Sequence, residues 1–207
     1  MPGGRPRAWA EDPQRHRRQC LRPITSPQPG QADVLLTAHY DGAGDDPEQR
    51  LPAAADNVSS GVAVVLEVAH GIARHTLPTG VSVSLLEAEE AGAHGSAHHA
   101  PQLSPGTLVI NLDGATALHE AAAVEAGGPA HSLLEALDRA ARNTGLPLRA
   151  QAMPSDNRRY AAAGHAAHRH RQGPARLPDP AETPDRVQPD TLHRAARLLV
   201  ATIADLT

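Results

Sequence analysis

A chain of 207 residues is long enough for one domain with a single sizeable core, and its formal net charge of -4 argues against a nucleic-acid binder, which would show a basic face. The lone cysteine, Cys20, excludes an intrachain disulfide framework and a cysteine-rich zinc site, so any metal must be held by His, Asp and Glu. No apolar run reaches membrane-span length and residues 1–30 lack the apolar centre of a signal peptide, so the expectation is a chain without a membrane segment, cytoplasmic as written.

Residues 1–31 are rich in Arg, Pro, Gln and Gly and carry no apolar period, which predicts a disordered or poorly packed leader before a domain over 32–207. "DVLLTAHYD" (33–41) is an apolar run that turns polar at its end, the pattern of a buried strand feeding a site. After a loop rich in Gly, Pro and Asp, the positions Val58, Val62, Val65, Leu66, Ala69 and Ile72 follow a helical period. Asp56 or Asn57 is placed to cap that helix. "GVSVSLLEA" (80–88) and "GTLVINLDG" (106–114) read as two more buried strands, each ending in acid. An amphipathic helix is expected over 130–145, a strand in "LPLRAQA", and a capped helix over 190–206 with Leu192, Ala195, Leu199 and Ile203 on one face. Strands alternating with helices predict an α/β fold, a three-layer αβα sandwich around a mixed, mostly parallel sheet. In such sheets the chemistry gathers beyond the carboxyl ends of the strands.

The residues that follow the buried runs are His39 and Asp41, then Asp56 at a helix start, then Glu89 and Glu90, then Asp113. Carboxylates converging with a histidine are unstable without cations, because a buried unpaired charge costs several kcal/mol or shifts its pKa until it is neutral. A divalent metal is the natural counter-charge, and the imidazole favours zinc or a related transition metal over magnesium or calcium.

These segments resemble the co-catalytic dizinc aminopeptidases of the M28 peptidase type. His39-Tyr40-Asp41 matches the family's His-x-Asp, "AADNVSSG" its Asp-Asn-x-Ser-Gly segment, "AEEAGAHGS" its Ala-Glu-Glu-x-Gly-x-x-Gly-Ser, and "INLD" its last aspartate after a strand. The resemblance implies two zinc ions bridged by Asp56, with His39 and Asp113 completing one and Glu90 binding the other. It makes Glu89 the general base and acid, and Asp41 the residue that orients the His39 imidazole. The implied substrate is a peptide with a free N-terminus; the same scaffold also serves glutaminyl cyclisation and deacylation. Members of the family are often secreted or membrane-attached.

Beside these, Glu87, Asp45 and Asp46 read as loop acids, and His94, His98 and His99 as an exposed helix face. Asp156 stands in "PSDN" where the family has Ser-Asp-His, with Asn157 replacing the histidine. The family's last ligand, a histidine before the terminal helix, aligns with Pro178, which has no ligand atom; His165, His168 and His170 fall where the family has an apolar strand. The expectation is a metal-dependent aminopeptidase with an incomplete second zinc site, set against the alternative of a catalytically inactive remnant binding one metal or none. "HRHRQGPARLP" (168–178) has no apolar character, yet permitted codons read one base later give Ile-Gly-Ile-Gly-Lys-Gly-Leu-Pro-Gly-Tyr. A small insertion or deletion would therefore account for residues 168–180 and for the leader, where "RQCLRP" re-reads as an apolar strand.

Overall fold

The computed structural model describes residues 20–25, 33–42, 60–118, 120–172 and 184–206. Seven strands form one sheet in the order β1-β3-β2-β4-β7-β5-β6: β1 Cys20–Thr25, β2 Val34–His39, β3 Val81–Leu86, β4 Leu108–Ala115, β5 Ala122–Gly127, β6 Leu148–Ala150 and β7 Ala166–Gln172. The four strands β3, β2, β4 and β7 are mutually parallel, and β1 and β5 join antiparallel at either side. The expected mixed, mostly parallel sheet is therefore present.

Alternation along β2 divides the core. Val34, Leu36 and Ala38 join a cluster with α1 (Ser60–Ile72), α3 (His131–Thr144) and α5 (Pro189–Asp205), whereas Leu35 packs with Leu86, Val109, Ala167 and Tyr160 on the other face. That second face carries α2 (His94–His99) and α4 (Asp156–Ala162), which completes the three layers. The strands between them are almost wholly buried, which is why they read as continuous apolar runs.

Local rules explain the helix limits. Gly145 takes a left-handed φ of 68° and closes α3 by donating to Arg142, while Pro189 begins α5 where its missing N–H has no intrahelical role. In α1 the buried stripe is Gly61, Val64, Val65, Val68, Ala69 and Ile72. Leu66, assigned to that stripe by its period, is instead 49% exposed, one position round the helix from the contact with the sheet. The proposed cap Asp56 or Asn57, and Val58, lie outside the described residues.

Three further readings differ from expectation. Cys20–Thr25, inside the stretch read as leader, pairs with β3; backbone hydrogen bonds form this edge strand without any apolar period. β5, Ala122–Gly127, had no strand signal because alanine is depleted in strands, yet it is held by β7 on one side and β6 on the other. β7 does lie where the resemblance implies a strand, but beyond Ala166 and Ala167 its buried residues are the polar His168, Arg169, His170, Arg171 and Gln172. The ring nitrogens of His168 and His170 and the amide of Gln172 have no hydrogen-bond partner among the described residues.

Candidate metal centre

β2 and β3 run in parallel register with His39 opposite Leu86, so the segments that follow leave the same edge of the sheet side by side. After β3 the chain turns sharply: Ala88 and Ala93 adopt φ of 61° and 55°, and the Glu89 carbonyl accepts from Gly92 and Ala93. Non-glycine residues in the left-handed region are costly and recur where a turn must aim particular side chains. Here the turn presents Glu89, half-buried, and Glu90, exposed. The Glu90 N–H donates to Asp41 Oδ2 at 3.1 Å, which ties this turn to the end of β2. Gly95, within the same motif, permits the close approach of α2, since a Cβ there would collide with the Glu87 carbonyl. Gly61 plays the equivalent part at the start of α1, where a Cβ would stand 2.6 Å from the Leu112 carbonyl oxygen.

His39 is almost completely buried at the end of β2. Its Nδ1 lies 3.3 Å from the Asp41 carbonyl oxygen and 3.5 Å from the Asp41 carboxylate, so the proton sits on Nδ1 and Nε2 faces the site. Burial alone would lower the His39 pKa, but the hydrogen bond to Asp41 and the charges of Glu89, Asp156 and Asp41 outweigh it and raise it. Burial likewise acts to raise the Asp41 pKa, and the His39 hydrogen bond with the backbone donors of Glu89 and Glu90 reverses it to a net lowering. Ligand atoms of His39, Glu89 and Glu90 all lie within 4.8 Å of one another. One imidazole nitrogen with two carboxylate oxygens is a donor set that a single zinc ion accepts, and the residues present fit one ion at this point.

Asp113 is placed differently from this trio. It is the extra residue of a bulge in β4, between Leu112 paired with His170 and Gly114 paired with Arg171, and the bulge turns its side chain toward the site. Its Oδ1 lies 3.6 Å from His39 Nε2 and accepts from Ser155 Oγ at 2.7 Å; its Oδ2 is ion-paired with Arg169, and Arg171 Nη1 is 3.7 Å away. The position next to Asp113 therefore already holds a cation, and the residues there do not fit a second metal ion. Asp56, the expected bridge, lies outside the described residues, as do Pro178, Asp45 and Asp46.

Sequence reasoning found His39, Asp41, Glu89, Glu90 and Asp113 but not Arg169, Arg171 or Ser155, because nothing in the local sequence marks a strand arginine as inward-facing. Asp156, read as near the site, is fully buried and accepts from Ser96 Oγ at 2.5 Å. Burial pushes its pKa up to about 7 against the Ser96 hydrogen bond, with the Glu89 charge adding to the rise. Two expectations are corrected. His99 is not on an exposed face but buried, 2.9 Å from the Tyr160 hydroxyl, since its position in α2 turns it onto α4; His94 and His98 are exposed. Glu87 is half-buried, with one carboxylate oxygen enclosed and unpartnered, because α2 packs over its backbone. A cleft of about 310 Å³ opens beside Glu89, lined by Ser155, Arg158 and Arg159 among others.

These features define a three-layer α/β protein with an imidazole and paired carboxylates gathered at the carboxyl edge of its parallel strands. The model of peptidase family M28 matches residues 23–203, and the chain belongs to that family. No curated protein matches the chain at a significant level. Among solved structures, a zinc aminopeptidase from Bacillus subtilis, BSAP, superposes with a TM-score of 0.72 at 23% identity over 89% of this chain and 48% of its own. LapB from Legionella pneumophila gives 0.71 at 20% identity, covering 86% and 52%. An Acidobacteriales bacterium glutaminyl cyclase gives 0.72 at 18% identity, covering 91% and 73%. The chain thus spans about half the length of the first two proteins and shares their fold.

Proposed function

We propose that this chain is a metal-dependent aminopeptidase that releases N-terminal residues from peptides, with zinc as its ion. The observation that carries the reading is the convergence of His39, Glu89 and Glu90 at the ends of β2 and β3. His39 and Glu90 would hold the ion, with Asp56 as the third ligand that the family motif implies. When bound, the ion supplies Lewis-acid polarisation of the scissile carbonyl and lowers the pKa of water. Asp41 holds the His39 proton on Nδ1 and keeps Nε2 free for its ligand role. Glu89 takes a proton from the attacking water and delivers it to the departing amine. The cleft beside Glu89 admits the substrate.

A second reading, an inactive remnant holding one metal or none, is favoured by the Arg169–Asp113 ion pair. Metal analysis of purified protein with an aminoacyl-anilide assay separates the two. The aminopeptidase reading expects chelator-sensitive hydrolysis that disappears in Glu89→Gln. Zinc-loaded protein that releases no N-terminal residue sinks it, and ammonia release from N-terminal glutamine peptides would move the activity to cyclisation.

A further inference from the structure

The carboxylate at the end of β4 has a partner that the metal-centre motif does not include. Arg169 is 5% exposed, and its guanidinium is held from two sides: one Nη pairs with Asp113 Oδ2 and the other donates to the Pro154 carbonyl at 3.0 Å. Burial and the neighbouring Arg171 charge lower its pKa to about 10, against the pull of Glu89 and Glu90, so it remains protonated at neutral pH. Asp113 Oδ1, 3.6 Å from His39 Nε2, is at a separation two ligands of one tetrahedral ion could span, yet its other oxygen faces this fixed cation. A divalent ion bound there would stand within a few ångströms of a buried guanidinium that forms an ion pair with no other carboxylate among the described residues.

We infer that Arg169 is a built-in counter-cation for Asp113 that excludes a metal ion from that carboxylate, leaving a single ion held by His39 and Glu90 beside Glu89. The inference rests on the metal-dependent reading above and concerns how many ions the site takes, not whether it hydrolyses peptides. In such a site the guanidinium supplies the positive charge that would otherwise come from the second ion, and it cannot exchange with solvent.

Zinc stoichiometry and affinity, read by isothermal titration and elemental analysis, test this without reference to activity. The 207-residue chain is expected to take up one zinc equivalent. Arg169→Met should take up a second equivalent, or bind the first at least tenfold more tightly; Arg169→Lys, which keeps the charge, should stay at one. Because Arg169→Met leaves buried Asp113 with only the more distant Arg171 as counter-charge and can fail to fold, the double variant D113N/R169M removes both charges together and should match the wild-type affinity within about threefold, since Asp113 is not available to the ion in either. Two equivalents in the wild type, a folded Arg169→Met with unchanged stoichiometry and affinity, or a tenfold loss in the double variant would each overturn the inference. A wild type that takes up no zinc at all overturns it together with the aminopeptidase reading, whereas one equivalent with no hydrolysis removes only the latter.

Discussion

Acidification from pH 7 to pH 5 loads the unfolded chain with two protons that folded β7 refuses. His168 and His170 are fully buried, stack with ring centroids 5.8 Å apart, and sit in register with Ile110 and Leu112 on one side and Ala126 and Val124 on the other. Burial, with the His170 charge adding at His168, depresses their pKa values to about 3 and about 4. The sign follows from proton counting. Between these values and the ordinary histidine value of ~6.5 the unfolded state binds more protons than the folded state, so stability falls as pH drops through ~6.5 and levels off below the folded values. From pH 7 to pH 5 each group costs about 2 kcal/mol, and the pair roughly 4 kcal/mol, a large part of the 5–15 kcal/mol typical of a domain. His39 and Asp156 oppose this, because the raised pKa of each, to about 7 for Asp156, makes the folded state take up a proton over the same range, so the net change of the wild type is smaller than the His168 and His170 contribution alone. Urea unfolding followed by circular dichroism at the two pH values, compared between wild type and the variant H168I/H170I, isolates the loss. The stability change of the variant from pH 7 to pH 5 should be more favourable than that of the wild type by roughly 4 kcal/mol, and at pH 7 the variant should be more stable by about 2–6 kcal/mol, since two unpartnered buried polar rings give way to apolar side chains. The same pH dependence in wild type and variant would refute the placement of these rings in the core.

Further outcomes follow from the site. Glu89→Gln should reduce peptide hydrolysis by about 10²–10⁴-fold in steady-state assays, with the fold intact by circular dichroism. Asp41→Asn removes the carboxylate charge beside His39 Nδ1, leaving the Asp41 carbonyl as acceptor, and should weaken zinc binding by about 10–100-fold in a chelator competition. Gly61→Ala forces a Cβ to 2.6 Å from the Leu112 carbonyl oxygen and should lower stability by about 1–3 kcal/mol in urea unfolding.

The central strands were legible in the sequence because burial on both faces writes them as unbroken apolar runs, and the polar residue ending each run then falls at the sheet edge. That logic placed His39 at the end of β2 and Glu89 and Glu90 beyond β3 without any knowledge of pairing, whereas Asp113 falls inside β4, two residues before its end. β1 and β5 escaped it because their short, alanine-rich or polar sequences carry no continuous apolar run and the ladders that hold them are supplied by β3, β6 and β7. The difference between His99 and His98 was likewise hidden, since which side of a six-residue helix faces inward is decided by α4, far away in sequence. Arg169 was illegible for the same reason: its meaning depends on a bulge in β4 that no residue spacing announces.

The strand β7 joins these threads, because one alternation produces two opposite effects. Ala166, His168 and His170 share a parity, and Ala166 packs in the cluster with Val34 and Leu36, so the two histidines point into the apolar layer beneath α1, α3 and α5. Arg169 and Arg171 share the other parity with Ala167 and reach Asp113. Ladders to β4 and β5 hold the backbone in place whatever the side chains are, so the strand persists where its composition argues against it. The shifted reading Ile-Gly-Ile-Gly-Lys over residues 168–172 would place Ile at both histidine positions and glycine at Arg169, removing the core penalty and the counter-cation in one step. Sequencing the coding DNA decides it: codons that do not permit that reading make the polar strand an inherited feature of this chain, and Arg169 with it.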